Sequence, residues 1–223
     1  MKRVFGFILF LFLSANVLAQ NHGSIRALDS TYFSARLDSL SLLFQCSGEI
    51  PKQLRLPALI ALSYYPELRG ATIVFKEKRI HTTLNTRPSV FSLLFRGRLK
   101  RTYVIRINSE IRGDRIRLAE VPFNATVGLF GHEFGHVLDY RDKGILQVLN
   151  RGLAYTNRKG KRKFEKEIDL ITIGRGLGWQ LYDWTFYVLN QSKASETYKA
   201  YKGDVYLKPT DIEHLIGASD HEK

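Results

Sequence analysis

His132 and His136 stand four residues apart, and Glu133 directly follows the first of them. On a helix, residues four apart lie about 40° from each other around the axis and one turn apart, so two imidazoles at this spacing share a face and can reach one metal ion. Glu133 then falls on the flank of that face, where a carboxylate addresses a water on the metal better than the metal itself. Such a carboxylate beside a metal with an open position points to metal-assisted hydrolysis, with zinc as the metal for an HExxH pair.

A bare HExxH arises by chance, so its setting matters. Residues 124–140 are mostly apolar, and Glu133 is their only charge before Asp139. Two histidines and a glutamate buried unpaired in such a helix would be costly, and a bound metal removes that cost. The alternative is a core helix whose histidines hydrogen-bond to neighbours. Asn124 reads as the N-cap. Gly128, Gly131 and Gly135 each weaken a helix by up to about 1 kcal/mol relative to alanine, which points to another element packed closely against this one.

A catalytic zinc site needs a third protein ligand and an open position. Asp142 is an oxygen donor on the same segment, but the compact HExxHxxGxxH turn needs glycine three residues after the second histidine, and Asp139 stands there. The stretch 164–171 reads as a second helix, with Phe164, Ile168 and Ile171 apolar and Glu165, Asp169 and Thr172 on another face. A carboxylate there, from Glu165 or Glu167, can bind the metal, and Asp169, one turn beyond Glu165, can orient a ligand histidine. The alternative is a solvated face held by pairs four residues apart.

On these residues the chain resembles the gluzincin metallopeptidases, whose pattern is HExxH, a spacer, and ExxxD on a second helix. The resemblance spans roughly residues 124–180. It implies one zinc ion per chain held by His132, His136 and Glu165; the residues themselves leave Glu167 and Asp142 open as alternative ligands. It implies Glu133 as the general base toward a metal-activated water and Asp169 as the group behind a ligand histidine. The implied activity is peptide-bond hydrolysis, and the implied fold is zincin-like, with substrate laid along an edge strand beside the HExxH helix. Val104, Arg106 and Asn108, on the strand 102–108, are the candidates for that edge. A tetrahedral intermediate needs an extra donor, and Tyr140, Tyr182 and Tyr187 are the tyrosines nearest in sequence. Two other readings share the metal: a non-catalytic, zinc-stabilised exported binding module, and a zinc amidase acting on cell-wall amide bonds. A structural zinc site has no use for Glu133 and favours cysteine, and the only cysteine, Cys46, lies far off in sequence.

The elements that must hold these residues are also readable. Residues 29–46 and 54–64 read as helices, the second closed by Pro66. Residues 71–75, 79–83 and 102–108 read as strands, with Tyr103, Ile105 and Ile107 sharing one face of the last. After the HExxH helix come a short helix near 143–150, the helix carrying Glu165, a glycine-broken segment at 174–178, an aromatic-rich helix over 179–189 and a last helix over 209–216. A small sheet followed by helices predicts an α+β domain, the helices packed on one side of an antiparallel sheet.

The chain of 223 residues is long enough for one domain with a sizeable core. Lys2-Arg3, an apolar run from Val4 to Leu13 and small residues up to Ala19 have the three-part layout of a cleaved signal peptide. The run is too short to span a bilayer. Residues 20–223 are therefore expected to be a single exported domain, periplasmic or secreted, of bacterial type, with no transmembrane segment in the mature chain. One cysteine excludes an internal disulfide framework. The formal net charge of +13 is concentrated at Arg96–Arg101 and Arg158–Lys163. These read as solvated basic loops able to meet an anionic surface. They lack interleaved aromatics, so nucleic acid is not an expected partner; a peptide or protein substrate is.

Overall fold

The computed structural model describes residues 25–44, 46–48, 50–109 and 116–221, and the stretch read as a signal peptide lies outside them. Two short helices open it, α1 (Ser30–Ser34) and α2 (Leu37–Leu43), where one helix was expected over 29–46. Asp29 starts α1 by accepting from the backbone N–H groups of Thr31 and Tyr32. There follow β1 (Cys46–Gly48), α3 (Lys52–Ser63), β2 (Thr72–Lys78), β3 (Leu84–Pro88), α4 (Val90–Phe95) and β4 (Thr102–Asn108). The second half is helical: α5 (Phe123–Arg141), α6 (Ile145–Ala154), α7 (Arg158–Thr172), α8 (Gly178–Phe186), α9 (Glu196–Val205) and α10 (Pro209–His221). The basic stretch 158–163 is the first half of α7 and not a loop; Asn157 caps it by accepting from the Gly160 N–H at 2.7 Å.

The architecture is a zincin-like α+β arrangement, but the sheet is mixed rather than antiparallel. Its order is β1-β2-β4-β3; β1 and β4 run parallel to β2, and only β3 pairs antiparallel, with β4. Strand β4 therefore inserts between β2 and β3 and is paired on both sides. That overturns the expectation that Val104, Arg106 and Asn108 form the edge. The physical reason is composition. The β-branched and aromatic run Thr102–Asn108 is the best strand former of the four, whereas β3 contains Asn85 and Pro88, which an edge tolerates. Residues 79–83, read as a strand, are the loop leading into β3.

Tyr103, Ile105 and Ile107 of β4 and Ile73 and Phe75 of β2 are buried, and Phe75 meets Phe130 of α5 edge-on at 6.2 Å. Helix α5 is buried along Ala125–Tyr140, and its glycines are what allow this. A Cβ on Gly128 would lie 2.0 Å from the backbone oxygen of Gln180 in α8. One on Gly131 would lie 2.7 Å from Leu177, and one on Gly135 3.0 Å from Ile168 in α7. The three glycines, on one stripe of α5, let α7 and α8 approach it at backbone distance. Tyr65 ties the same region together, its buried hydroxyl donating to the Gly131 carbonyl at 2.7 Å. Asn124 is not the N-cap; Pro122 is. The Asn124 amide instead accepts from the Leu28 N–H and bonds Asp183, joining the start of the chain to α8.

Candidate metal centre

Helices α5 and α7 face each other with the predicted residues between them. His132 Nε2 lies 3.2 Å and His136 Nε2 3.3 Å from Glu165 Oε2. The three ligand atoms lie within 4.8 Å of one another, and all three residues are buried. Behind them, Asp169 Oδ1 is 2.8 Å from His132 Nδ1, while Asp169 Oδ2 accepts from the Leu207 N–H at 2.9 Å. That second bond fixes the carboxylate, so Asp169 sets His132 with its Nδ1 proton outward and Nε2 toward Glu165. His136 is oriented by aromatic rings: Phe164 packs edge-on at 5.2 Å and Tyr140 stacks at 6.0 Å.

Two imidazole nitrogens and one carboxylate are the ligand set of a catalytic zinc with an open position, and the donors fit that ion. A second observation supports the fit. Glu133 Oε2 is buried and has no hydrogen-bond partner in the protein, and Glu133 lines the same cleft as the three ligands. Leaving such a group unpaired costs about 1–3 kcal/mol or more, which is intelligible if the carboxylate addresses a group bound at the centre.

The charge balance follows from the geometry. Burial alone would lower the pKa of His132, but Asp169 on one nitrogen and Glu165 on the other raise it to about 10. Burial pushes Glu165 up; its hydrogen bonds from His132 and His136 outweigh this and hold it well below the usual carboxylate range. A raised histidine pKa stabilises the metal-free fold fully below the unfolded value of about 6.5, and that contribution fades as pH rises through about 10. Ligation needs the neutral ring, so His132 would release this proton on binding zinc. Calorimetric zinc titration near pH 8, in buffers of different ionisation enthalpy, should show more protons released by the wild type than by Asp169→Asn. Equal release would mean that His132 carries no extra proton.

The other proposed ligands are placed elsewhere. Glu167 pairs with Arg151 at 2.5 Å. Asp142 is the C-cap of α5 and stays exposed. Asp139, at the position where the compact turn needs glycine, is buried in ion pairs with Lys143 at 2.8 Å and Arg151 at 2.9 Å.

The centre opens into a cleft of about 450 Å³, walled on one side by β3 and on the other by Val148, Leu149 and Gly152 of α6. Of the three β4 residues named from sequence, only Arg106 lines it. Tyr140 also lines it, but Tyr182 and Tyr187 do not; Tyr182 stacks on Phe186 at 5.9 Å instead. Two tyrosines that sequence proximity missed do line it, Tyr155 after α6 and Tyr206 after α9. The Tyr206 ring packs 5.5 Å from His132. Burial, and then the nearby Glu165 carboxylate, raise the pKa of all three cleft hydroxyls. They therefore remain proton donors across the physiological range.

No family model, curated protein or solved structure matches the chain. His132-Glu133-x-x-His136 with Glu165 and Asp169 matches the gluzincin type of HExxH zinc-binding motif, positioned as in a catalytic zincin site.

Proposed function

We propose that the protein is an exported zinc-dependent peptidase that binds an extended peptide along β3. The observation that carries this reading is the buried Glu133 Oε2, without a hydrogen-bond partner in the protein, beside a three-donor centre. A structural zinc site would call for a closed shell of four ligands and no free base. The N-terminal layout supports export, and no helix among the described residues is long and apolar enough to cross a membrane.

Zinc, held by His132, His136 and Glu165, would supply a Lewis acid for the scissile carbonyl and lower the pKa of water toward about 7. Glu133 Oε2 accepts the proton of the attacking water and returns it to the leaving amine nitrogen. Tyr206, packed on His132, donates a hydrogen bond from its hydroxyl to the oxygen of the tetrahedral intermediate. Asp169 keeps His132 in one tautomer throughout.

The edge for substrate is β3. Thr83 and Ser89 bond to Asn108 and Thr102 across the ladder. In an antiparallel pair such bonding residues alternate with non-bonding ones, so the backbone groups of Leu84 and Thr86 turn to the open side. An extended peptide can add there as a further strand. Selectivity comes from the cations beside it. Arg106 donates from Nε to Asn85 Oδ1 at 2.6 Å, and both burial and nearby Arg87 lower its pKa. Neither arginine forms an ion pair with a carboxylate among the described residues, although the Glu133 carboxylate partly offsets the lowering at Arg106; an acidic substrate side chain would relieve the repulsion between Arg87 and Arg106. Cleavage profiling on an unbiased peptide library should show enrichment of Asp and Glu beside the scissile bond. A charge-assisted hydrogen bond contributes about 1.5–3 kcal/mol, so Arg106→Gln should lower kcat/KM for acidic peptides by roughly tenfold or more and barely change it for neutral ones. Metal-dependent hydrolysis with no such preference would refute the acidic selectivity; no hydrolysis of any peptide would refute the peptidase reading.

A further inference from the structure

The α6 wall of the cleft and helix α4, which follows the β3 wall, carry apolar side chains that face outward. On α4 and the turn after it, Phe91, Phe95 and Leu99 are 65%, 72% and 74% exposed. On α6, Leu146, Leu149 and Leu153 are exposed, and only Val148 of that helix is buried. At spacings of three and four these leucines form one stripe. The apolar face of α6 is therefore turned away from the core, the reverse of a normal surface helix. The two adjoin: Arg98 donates to the Asp142 carbonyl at 3.3 Å and Arg101 to the Lys143 carbonyl at 2.7 Å, seating the 98–101 turn on the loop that opens α6.

The charge around these faces has one sign. Residues 79–109 contain seven Lys or Arg and no Asp or Glu, and residues 143–164 likewise contain seven and none. Arg151, Arg158 and Arg162 are paired with acids from other segments. Arg96, Lys100 and Lys159 have no acidic partner among the described residues.

We infer that the rim of the cleft, formed by α4, the 98–100 turn and the outer face of α6, docks on an anionic lipid bilayer. Apolar side chains rimmed by cations have the chemistry of an interfacial anchor, the first entering the acyl boundary and the second meeting lipid phosphates. A contiguous exposed apolar surface needs a cover, and a second copy of this chain is a poor one, since it would bring the same cations face to face. Docking by this rim turns the cleft toward the membrane surface. The inference concerns the rim and does not depend on the peptidase reading.

The test is co-sedimentation with vesicles of phosphatidylcholine, with and without phosphatidylglycerol. It uses the chain from Gln20 onward, which retains every core residue from Leu28 to Ile216. Binding should be at least tenfold tighter with phosphatidylglycerol and should weaken with salt. Phe95→Ser, Leu99→Ser and Leu146→Ser combined should abolish it. Arg96→Glu with Lys100→Glu should weaken binding to the anionic vesicles by about tenfold or more. Both variants should keep their zinc content and their hydrolysis of soluble peptides, showing that the fold is intact. Absence of vesicle binding, unchanged binding by the apolar variant, or a dimer in solution that the apolar variant dissociates would each overturn the inference. A wild type that binds the anionic vesicles but hydrolyses no peptide would count against the proposed peptidase function and leave the docking surface standing.

Discussion

Glu133→Gln should leave about one zinc per chain in place while hydrolysis falls by roughly 10²–10⁴-fold, the usual contribution of a positioned general base. Zinc is retained because Glu133 is not among the converging donors; those are His132, His136 and Glu165. Activity is lost because an amide of the same shape cannot take a proton at Oε2. The fold should tolerate the change, since the replaced oxygen is a buried group with no protein partner and glutamine carries no charge to desolvate. The check is metal content and peptide turnover measured on one preparation. A variant that keeps zinc and full turnover would remove Glu133 from the mechanism, and one that loses zinc would make it a ligand.

Gly128→Ala is expected to be the most damaging Gly→Ala change among the described glycines. An added Cβ would meet the Gln180 carbonyl oxygen at 2.0 Å and its carbon at 2.2 Å, both backbone atoms of α8 that cannot rotate away. Alanine gains about 1 kcal/mol of helix propensity over glycine, but overpacking of this severity costs more than the usual 1–3 kcal/mol. The net loss should be at least about 3 kcal/mol, a large share of a domain's whole stability. Gly152→Ala is the control: it lies within α6 with nothing near the added carbon, so it should be neutral or stabilising by up to about 1 kcal/mol. Denaturant unfolding of the two variants beside the wild type decides the matter, and equal midpoints for wild type and Gly128→Ala would refute the close approach of α5 and α8.

What was legible in the sequence is what repeats with a helical or strand period. His132, His136, Glu165 and Asp169 each sit one turn from a partner, so their meeting depended only on α5 and α7 facing each other. The alternation in Thr102–Asn108 placed Tyr103, Ile105 and Ile107 inside. The period of a strand does not report its neighbours, however, and the order β1-β2-β4-β3 put that strand in the middle of the sheet. Strand β3 was not visible because Asn85 and Pro88 have little strand preference; its conformation comes from pairing with β4. The run Arg158–Lys163 looked like a loop because charge hides the helical period, although the Asn157 cap was there to be read. Tyr155 and Tyr206 occupy turns after helices, positions that only tertiary packing brings to the metal centre. The outward direction of the α6 apolar stripe was not legible either, because amphipathicity marks a helix but not which face meets the core.

The central claim is that one metal ion sits between His132, His136 and Glu165. Its most direct test is zinc content, by elemental analysis, of the wild type beside Glu165→Ala, Glu167→Ala and Asp142→Ala. The geometry predicts one zinc per chain in the wild type and in the Glu167 and Asp142 variants, with loss confined to Glu165→Ala. Retention of zinc by Glu165→Ala, or its loss from Glu167→Ala or Asp142→Ala with the fold intact, would contradict the assigned centre.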